Sequence, residues 1–242
     1  MQKRKIKRHP CVAKPKKPRA ARLLPSLLLC LSLLLTSCTG REEEVKEPPA
    51  PPKGLTVYVD AGHGGFDLGA VGVTAEGERI AEKDLALSVA TLIAKELRSR
   101  GHTVLLSRTG DERLTYTNSR EEILARRAAA VAGGADLLLS VHANAYAGKG
   151  RAYGARVYHS PASQASAAAA KRLSDAVTEH TGALIGRECR VVEDGSFLVL
   201  GEEKMPSLLF EIGFLSDERE LALLADPAYQ ARLARAVAEA LA

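Results

Sequence analysis

The chain has 242 residues, 46% of them hydrophobic, enough for one sizeable domain or two small ones. Its formal charge of +5 comes from one end: residues 1–37 carry ten of the 34 Lys and Arg and no Asp or Glu, leaving 24 basic against 29 acidic residues beyond them. The basic balance is therefore no argument for a nucleic-acid partner. With three of the four cysteines at or before position 38, no disulfide framework is available either.

The first segment has three parts. Met1 to Arg22 is strongly basic, and Leu23 to Leu35 is a leucine-rich run broken only by Pro25, Ser26, Cys30 and Ser32. This run is short of the ~20 residues that span a bilayer as a helix. Leu35-Thr36-Ser37-Cys38 follows, so basic, apolar and small-residue regions stand in the order of a secretory signal peptide. The last four residues resemble the bacterial lipoprotein signal box. That resemblance implies removal of residues 1–37, lipid on Cys38 and a membrane as partner. An ordinary signal peptide cut nearby, or an uncleaved anchor, is the competing reading. With Cys11 and Cys30 gone and Cys38 lipidated, Cys189 remains as a single thiol. Thr39 to Lys53 (TGREEEVKEPPAPPK) is acidic and proline-rich, which predicts that residues 38–53 form a disordered, fairly stiff tether. The folded domain is then 54–242.

Leu55 to Val59 (LTVYV) predicts a strand running into Asp60-Ala61-Gly62-His63-Gly64-Gly65. Such a glycine turn can hold a histidine out at a sheet's carboxyl edge, where open α/β sheets bind ligands; a tight turn with a surface histidine is the alternative. Ala81 to Arg100 is helical by period, with Leu85, Val89, Leu92, Ile93 and Leu97 on one stripe. Glu82 shares the face of Leu85, Ala86 and Val89, which turns its carboxylate toward the sheet. Gly101 closes this helix and His102 to Ser107 reads as a strand. Ser119-Arg120-Glu121-Glu122 is a capping-box pattern for a helix through Ala132. Asp136 to Val141 and Ala155 to His159 read as strands, and Ser163 to Thr181 as an alanine-rich helix. Two short runs follow, Phe197 to Leu200 and Ser207 to Ile212. Ser216, with Asp217 and Glu218 behind it, then caps the first of two terminal helices. The alternation predicts a single α/β domain, its sheet mostly parallel or mixed, with helices on both faces.

Several chemistries drop out. There is no G-x-S-x-G elbow and no G-x-x-x-x-G-K-[ST] loop, and Asp67 falls where a G-x-G-x-x-G pattern needs its last glycine. Nothing near Cys189 in the sequence activates it. Metal chemistry fares better. His63 follows the first strand, His142 ends the strand Asp136 to Val141, and Glu82 faces the sheet. Glu211 sits inside SLLFEIGF, where alternation puts it on a face with Leu209 and Gly213, opposite Phe210 and Ile212. A carboxylate in an apolar strand costs several kcal/mol unless a cation or hydrogen bonds compensate it. Two histidines and a carboxylate are a common ligand set for catalytic zinc. Each residue also has a plainer reading: a strand-end histidine is often structural, and Glu82 suits a helix N-terminus.

These residues carry a family resemblance. VDAGHGGFDLGAVG, EKDLAL, LLLSVHANA and LLFEIGFLSDERE resemble, in order, the four blocks of the zinc-dependent N-acetylmuramoyl-L-alanine amidases of the Amidase_3 type, over essentially Leu55 to Ala242. Val104 to Arg108 and Arg126 fit as well. Val131 and Asp217 depart from it, each standing where asparagine is common. The resemblance implies a zinc hydrolase cutting the amide between N-acetylmuramic acid and the L-alanine of the peptidoglycan stem. It puts the metal ligands on His63, Glu82 and His142 and the catalytic base on Glu211. Asp60 is expected to orient His63 from behind. The competing functions are a zinc peptidase acting within stem peptides and a wall-binding lipoprotein without hydrolysis.

Overall fold

The structure, a computed structural model, describes residues 54–113, 118–148, 152–201 and 205–242. The expected signal segment, Cys38 and the expected tether, residues 1–53, lie outside the described residues. Among these residues, eight strands and five α-helices follow in chain order: β1 (Thr56–Ala61), β2 (Val71–Val73), β3 (Arg79–Ala81), α1 (Glu82–Ser99), β4 (Thr103–Leu106), α2 (Ser119–Ala132), β5 (Leu137–Asn144), β6 (Arg156–His159), α3 (Gln164–Ile185), β7 (Arg190–Glu193), a 3-10 turn (Leu198–Leu200), β8 (Ser207–Phe214), α4 (Glu218–Ala225) and α5 (Pro227–Ala240). Six strands form one sheet in the order β4-β1-β5-β8-β6-β7, and β2 pairs with β3 as a separate small hairpin. Every neighbour in the large sheet is parallel except β8 and β6, so the sheet is mixed and mostly parallel.

Strands buried on both faces explain the near-continuous apolar runs in β5 and β8. Val57 and Val59 of β1, Leu139 and Val141 of β5 and Phe210 and Ile212 of β8 turn to one face. There they meet Val89, Ile93 and Leu97 of α1, Leu173 and Val177 of α3, and Leu233 and Val237 of α5. Each such side chain, fully buried, contributes roughly 1.5–3 kcal/mol relative to exposure. Tyr58, Leu138 and Leu209 turn to the other face, under α2 and the 3-10 turn. Helices therefore cover both faces, as expected. No helix among the described residues is long and apolar enough to cross a membrane.

Two caps differ from expectation by one residue each. Asn118, not Ser119, caps α2, accepting from the Glu121 N–H, and Asp217, not Ser216, caps α4, accepting from the Glu220 N–H. In both places two adjacent residues can cap, and the one whose extended backbone precedes the first turn takes the role. Ser216 Oγ instead accepts from the Tyr146 N–H at 3.0 Å, tying the loop after β5 to the end of β8. The run Phe197 to Leu200 is a 3-10 turn, and β2, β3 and β7 had no clear signal because they are short and little buried, without the apolar run that marked β4 and β6.

Candidate active site

The site grows from the way β1 ends. Gly62 donates its N–H to the Val141 carbonyl at 3.0 Å, and His63 then takes a left-handed backbone, φ 59°, the one non-glycine with positive φ among the described residues. Such a conformation costs on the order of 1–3 kcal/mol and persists only when its surroundings hold it. Two buried arginines do so by donating to three successive carbonyls. Arg126 Nη1 and Nη2 donate to Ala61 O at 2.8 Å and His63 O at 2.6 Å, while Arg108 Nε and Nη2 donate to Ala61 O at 3.1 Å and Gly62 O at 2.9 Å. The glycines around His63 now have specific reasons. A Cβ on Gly62 would lie 2.4 Å from the His142 ring, and one on Gly69, φ 64°, would lie 2.5 Å from Glu82 Oε2 and 2.7 Å from the His63 ring.

The structure brings His63, Glu82, His142 and Glu211 together. Glu82 opens α1, where the helix N-terminus favours its charge. Glu82 Oε1 lies 2.9 Å from both His63 Nε2 and His142 Nδ1, and these two ring nitrogens are 3.1 Å apart. The Ala70 and Ala143 N–H groups donate to its two oxygens at 2.8 and 3.2 Å, fixing the carboxylate plane. Burial works against its charge, but the hydrogen bonds and charges of His142 and His63 outweigh burial and hold Glu82 well below the usual carboxylate range. Burial likewise disfavours the His142 cation, yet Glu82 and Glu211 carry its pKa above the ordinary histidine value. The three donor atoms lie within 4.8 Å of one another. Two imidazole nitrogens crowding one carboxylate oxygen is an arrangement a shared cation relieves, and the donor set is one that suits zinc.

Glu211 is the register partner of His142 across β5 and β8, which sets both side chains on the same face at the same height. Its Oε2 is buried with no hydrogen-bond partner. Burial, helped by the charge of Glu82 and opposed by His142, His63 and Arg156, pushes its carboxyl up to about 7. His63, His142 and Glu211 line a cleft of about 260 Å³, together with Ile123 of α2 and Phe197.

Asp60 does not orient His63. Alternation along β1 turns its carboxylate under α2, where Arg126 Nη1 donates to it at 3.0 Å and Ser140 Oγ, from the paired position on β5, at 2.7 Å. Burial raises the Asp60 pKa, and Arg126 and Ser140 more than reverse that. The carboxylate on the other side of His63 from Glu82 is Asp67, whose Oδ1 is 3.1 Å from Nδ1, a close contact and not a well-aligned hydrogen bond. Sequence reasoning overlooked Asp67 as this partner, although its spacing of four residues from His63 across a glycine turn was visible. It also assigned no role to Arg108 and Arg126, whose carbonyl partners on the His63 loop lie 46 to 65 residues away in the chain. Cys189 is a buried bystander whose thiol burial pushes up to about 12.

The polar cluster stands at the carboxyl ends of β1 and β5, the edge at which open α/β sheets bind their ligands. Residues 57–242 match the Amidase_3 family, N-acetylmuramoyl-L-alanine amidase. The YqiI protein of Bacillus subtilis is 33% identical over 213 residues, covering 88% of this chain and 92% of YqiI. The N-acetylmuramoyl-L-alanine amidase LytC of the same species is 32% identical over 187 residues, covering 77% of this chain and 35% of LytC. Among solved structures, an N-acetylmuramoyl-L-alanine amidase of Clostridium difficile aligns with a TM-score of 0.67 at 30% identity, over 78% of this chain and 95% of that one. The catalytic domain of CwlV, from Bacillus (Paenibacillus) polymyxa, gives 0.64 at 31% identity, over 77% and 95%. The chain belongs to the N-acetylmuramoyl-L-alanine amidase family and is an enzyme of that class, a peptidoglycan amidase.

Proposed function

We propose that the enzyme hydrolyses the amide between N-acetylmuramic acid and L-alanine with a zinc ion held by His63, Glu82 and His142, and with Glu211 as general base. The carrying observation is the partnerless, buried Glu211 Oε2 directly across the sheet from His142. His63, Glu82 and His142 would hold the ion, which would supply Lewis acidity for the amide carbonyl and for water. Glu211 Oε2 takes the proton of the attacking water and returns it to the departing alanine nitrogen, a role suited by a pKa of about 7. Arg126 and Arg108 keep the His63 loop in its left-handed conformation, and the walls of the cleft limit water around Glu211.

The same reading extends to the ends of the chain. Residues 1–37 are an export signal, Cys38 carries lipid, 38–53 are a tether and 54–242 the catalytic domain. The order of basic, leucine-rich and Leu-Thr-Ser-Cys segments supports this, and the lipid then holds the enzyme at a membrane facing the wall or periplasm.

The test is incubation of the purified chain with defined muropeptides and mass analysis of the products, alongside zinc content. Free glycan and intact stem peptide are the expected products. Cleavage between stem amino acids instead would reassign the enzyme as a peptidase.

A further inference from the structure

Glu211 has a neighbour on its other side. β6 runs antiparallel to β8, and Arg156 is the register partner of Glu211, as His142 is from β5. Paired residues share a face, so His142, Glu211 and Arg156 form one row across the sheet, with neighbouring strands roughly 4.8 Å apart. The Arg156 guanidinium is oriented but not neutralised. Its Cζ lies 4.7 Å from the Phe214 ring centroid, and Nη1 reaches the Tyr158 hydroxyl only at 3.4 Å. The Tyr158 ring in turn meets, edge to face at 5.0 Å, that of Phe197, a wall of the cleft. Arg156 Nε is buried with no hydrogen-bond partner, and among the described residues the side chain closes no ion pair. Glu211 Oε2 is partnerless as well, so a carboxyl and a guanidinium stand side by side in one row without joining.

We propose that Arg156 is a specificity-determining residue that receives a carboxylate carried by the peptide side of the substrate. The inference rests on the amidase reading above. A guanidinium presents a rigid fork of donors that matches a carboxylate, and stacking on Phe214 sets the plane of that fork. Once the lactyl carboxyl of the sugar is consumed in the scissile amide, the glycan has no charge near that bond, and the carboxylates of the substrate lie on the stem peptide. The position in the row selects which one. Arg156 stands one strand beyond Glu211, on the side away from His63 and Glu82. An extended peptide advances about 3.3–3.6 Å per residue. A stem peptide laid across the strands in that direction brings a group one to two residues past the scissile bond to Arg156, and there the second stem residue carries its carboxylate.

The experiment compares two muropeptides identical except that this carboxyl is free in one and a carboxamide in the other, using the full chain in detergent with its zinc content recorded. The wild type should prefer the acid by about 10- to 100-fold in kcat/KM, the worth of one charge-assisted hydrogen-bonded pair. Arg156→Gln should remove that preference by slowing the acid, and Arg156→Lys should keep part of it. Equilibrium binding of the two free peptides to the wild type should show the same order, and this readout needs neither turnover nor a folded variant. Equal treatment of acid and amide by the wild type, or a preference that survives in Arg156→Gln, overturns the proposal while leaving the amidase reading intact. If the wild type cleaves neither substrate, the amidase reading falls, and the peptide-binding comparison alone decides for or against Arg156.

Discussion

The two faces of the central sheet use the same strands for opposite purposes. On β8, Leu208, Phe210 and Ile212 meet the helices α1, α3 and α5 in an apolar layer, while one residue along, Glu211 turns into a cleft beside two histidines. On β1, Val57 and Val59 join the apolar layer and Asp60 turns to Arg126. The apolar face stabilises by burial in proportion to area. The α2 face holds Asp60, Glu122 and Arg126 out of water and leaves Glu211 Oε2 unsatisfied, an arrangement that costs stability unless each charge has a partner. The difference separates residues that hold the fold from residues that do its chemistry, even at adjacent positions.

Removing groups from the polar face should give the largest effects, and they should appear in activity. His142→Ala should lose zinc and activity together. Glu211→Gln should keep zinc and unfold no earlier than the wild type, yet slow hydrolysis by roughly 10²–10⁴-fold, the worth of a positioned acid–base group. Zinc content beside turnover decides this pair: if Glu211→Gln loses its metal, Glu211 is a ligand and the assigned role is wrong.

On the apolar face the order reverses. Phe210 is wholly buried, and Phe210→Ala should destabilise by about 3–5 kcal/mol through lost burial and a cavity. Denaturant melts measure that loss, and the fraction still folded should turn over at the wild-type rate. A variant that stays stable but loses activity would show that the two faces are not separable.

A smaller effect belongs to Asp67. Asp67→Asn should weaken zinc by about 10- to 100-fold, as loss of a partner behind a ligating imidazole does. Competition with a chelator measures it, and unchanged affinity would show that the contact with His63 is incidental.

The smallest effect is a pH dependence carried by Asp60. Its folded pKa lies below the unfolded value of 3.8 because Arg126 and Ser140 outweigh burial. The stability it contributes is then fully present above the unfolded pKa and is lost as pH falls below it. Stability of the wild type measured downward from pH 5 should fall more steeply than that of Asp60→Asn, and parallel slopes would remove Asp60 from the acid side.

Local pattern was enough for much of this protein. The 3.6-residue period of α1 turned Glu82 toward the sheet, and the two-residue period of β8 set Glu211 opposite Phe210 and Ile212, because burial and backbone geometry are nearly local properties. The glycines beside His63 marked a backbone that needs unusual freedom. What alternation reports is a face, however, and not the neighbour across it. That Asp60 meets Arg126 depends on where α2 crosses the sheet, and that Asp67 meets His63 depends on the left-handed turn two arginines hold. The row from His142 through Glu211 to Arg156 exists because β8 lies between a parallel and an antiparallel partner. Strand order is set by pairing between residues distant in the chain, so only the tertiary structure decided it.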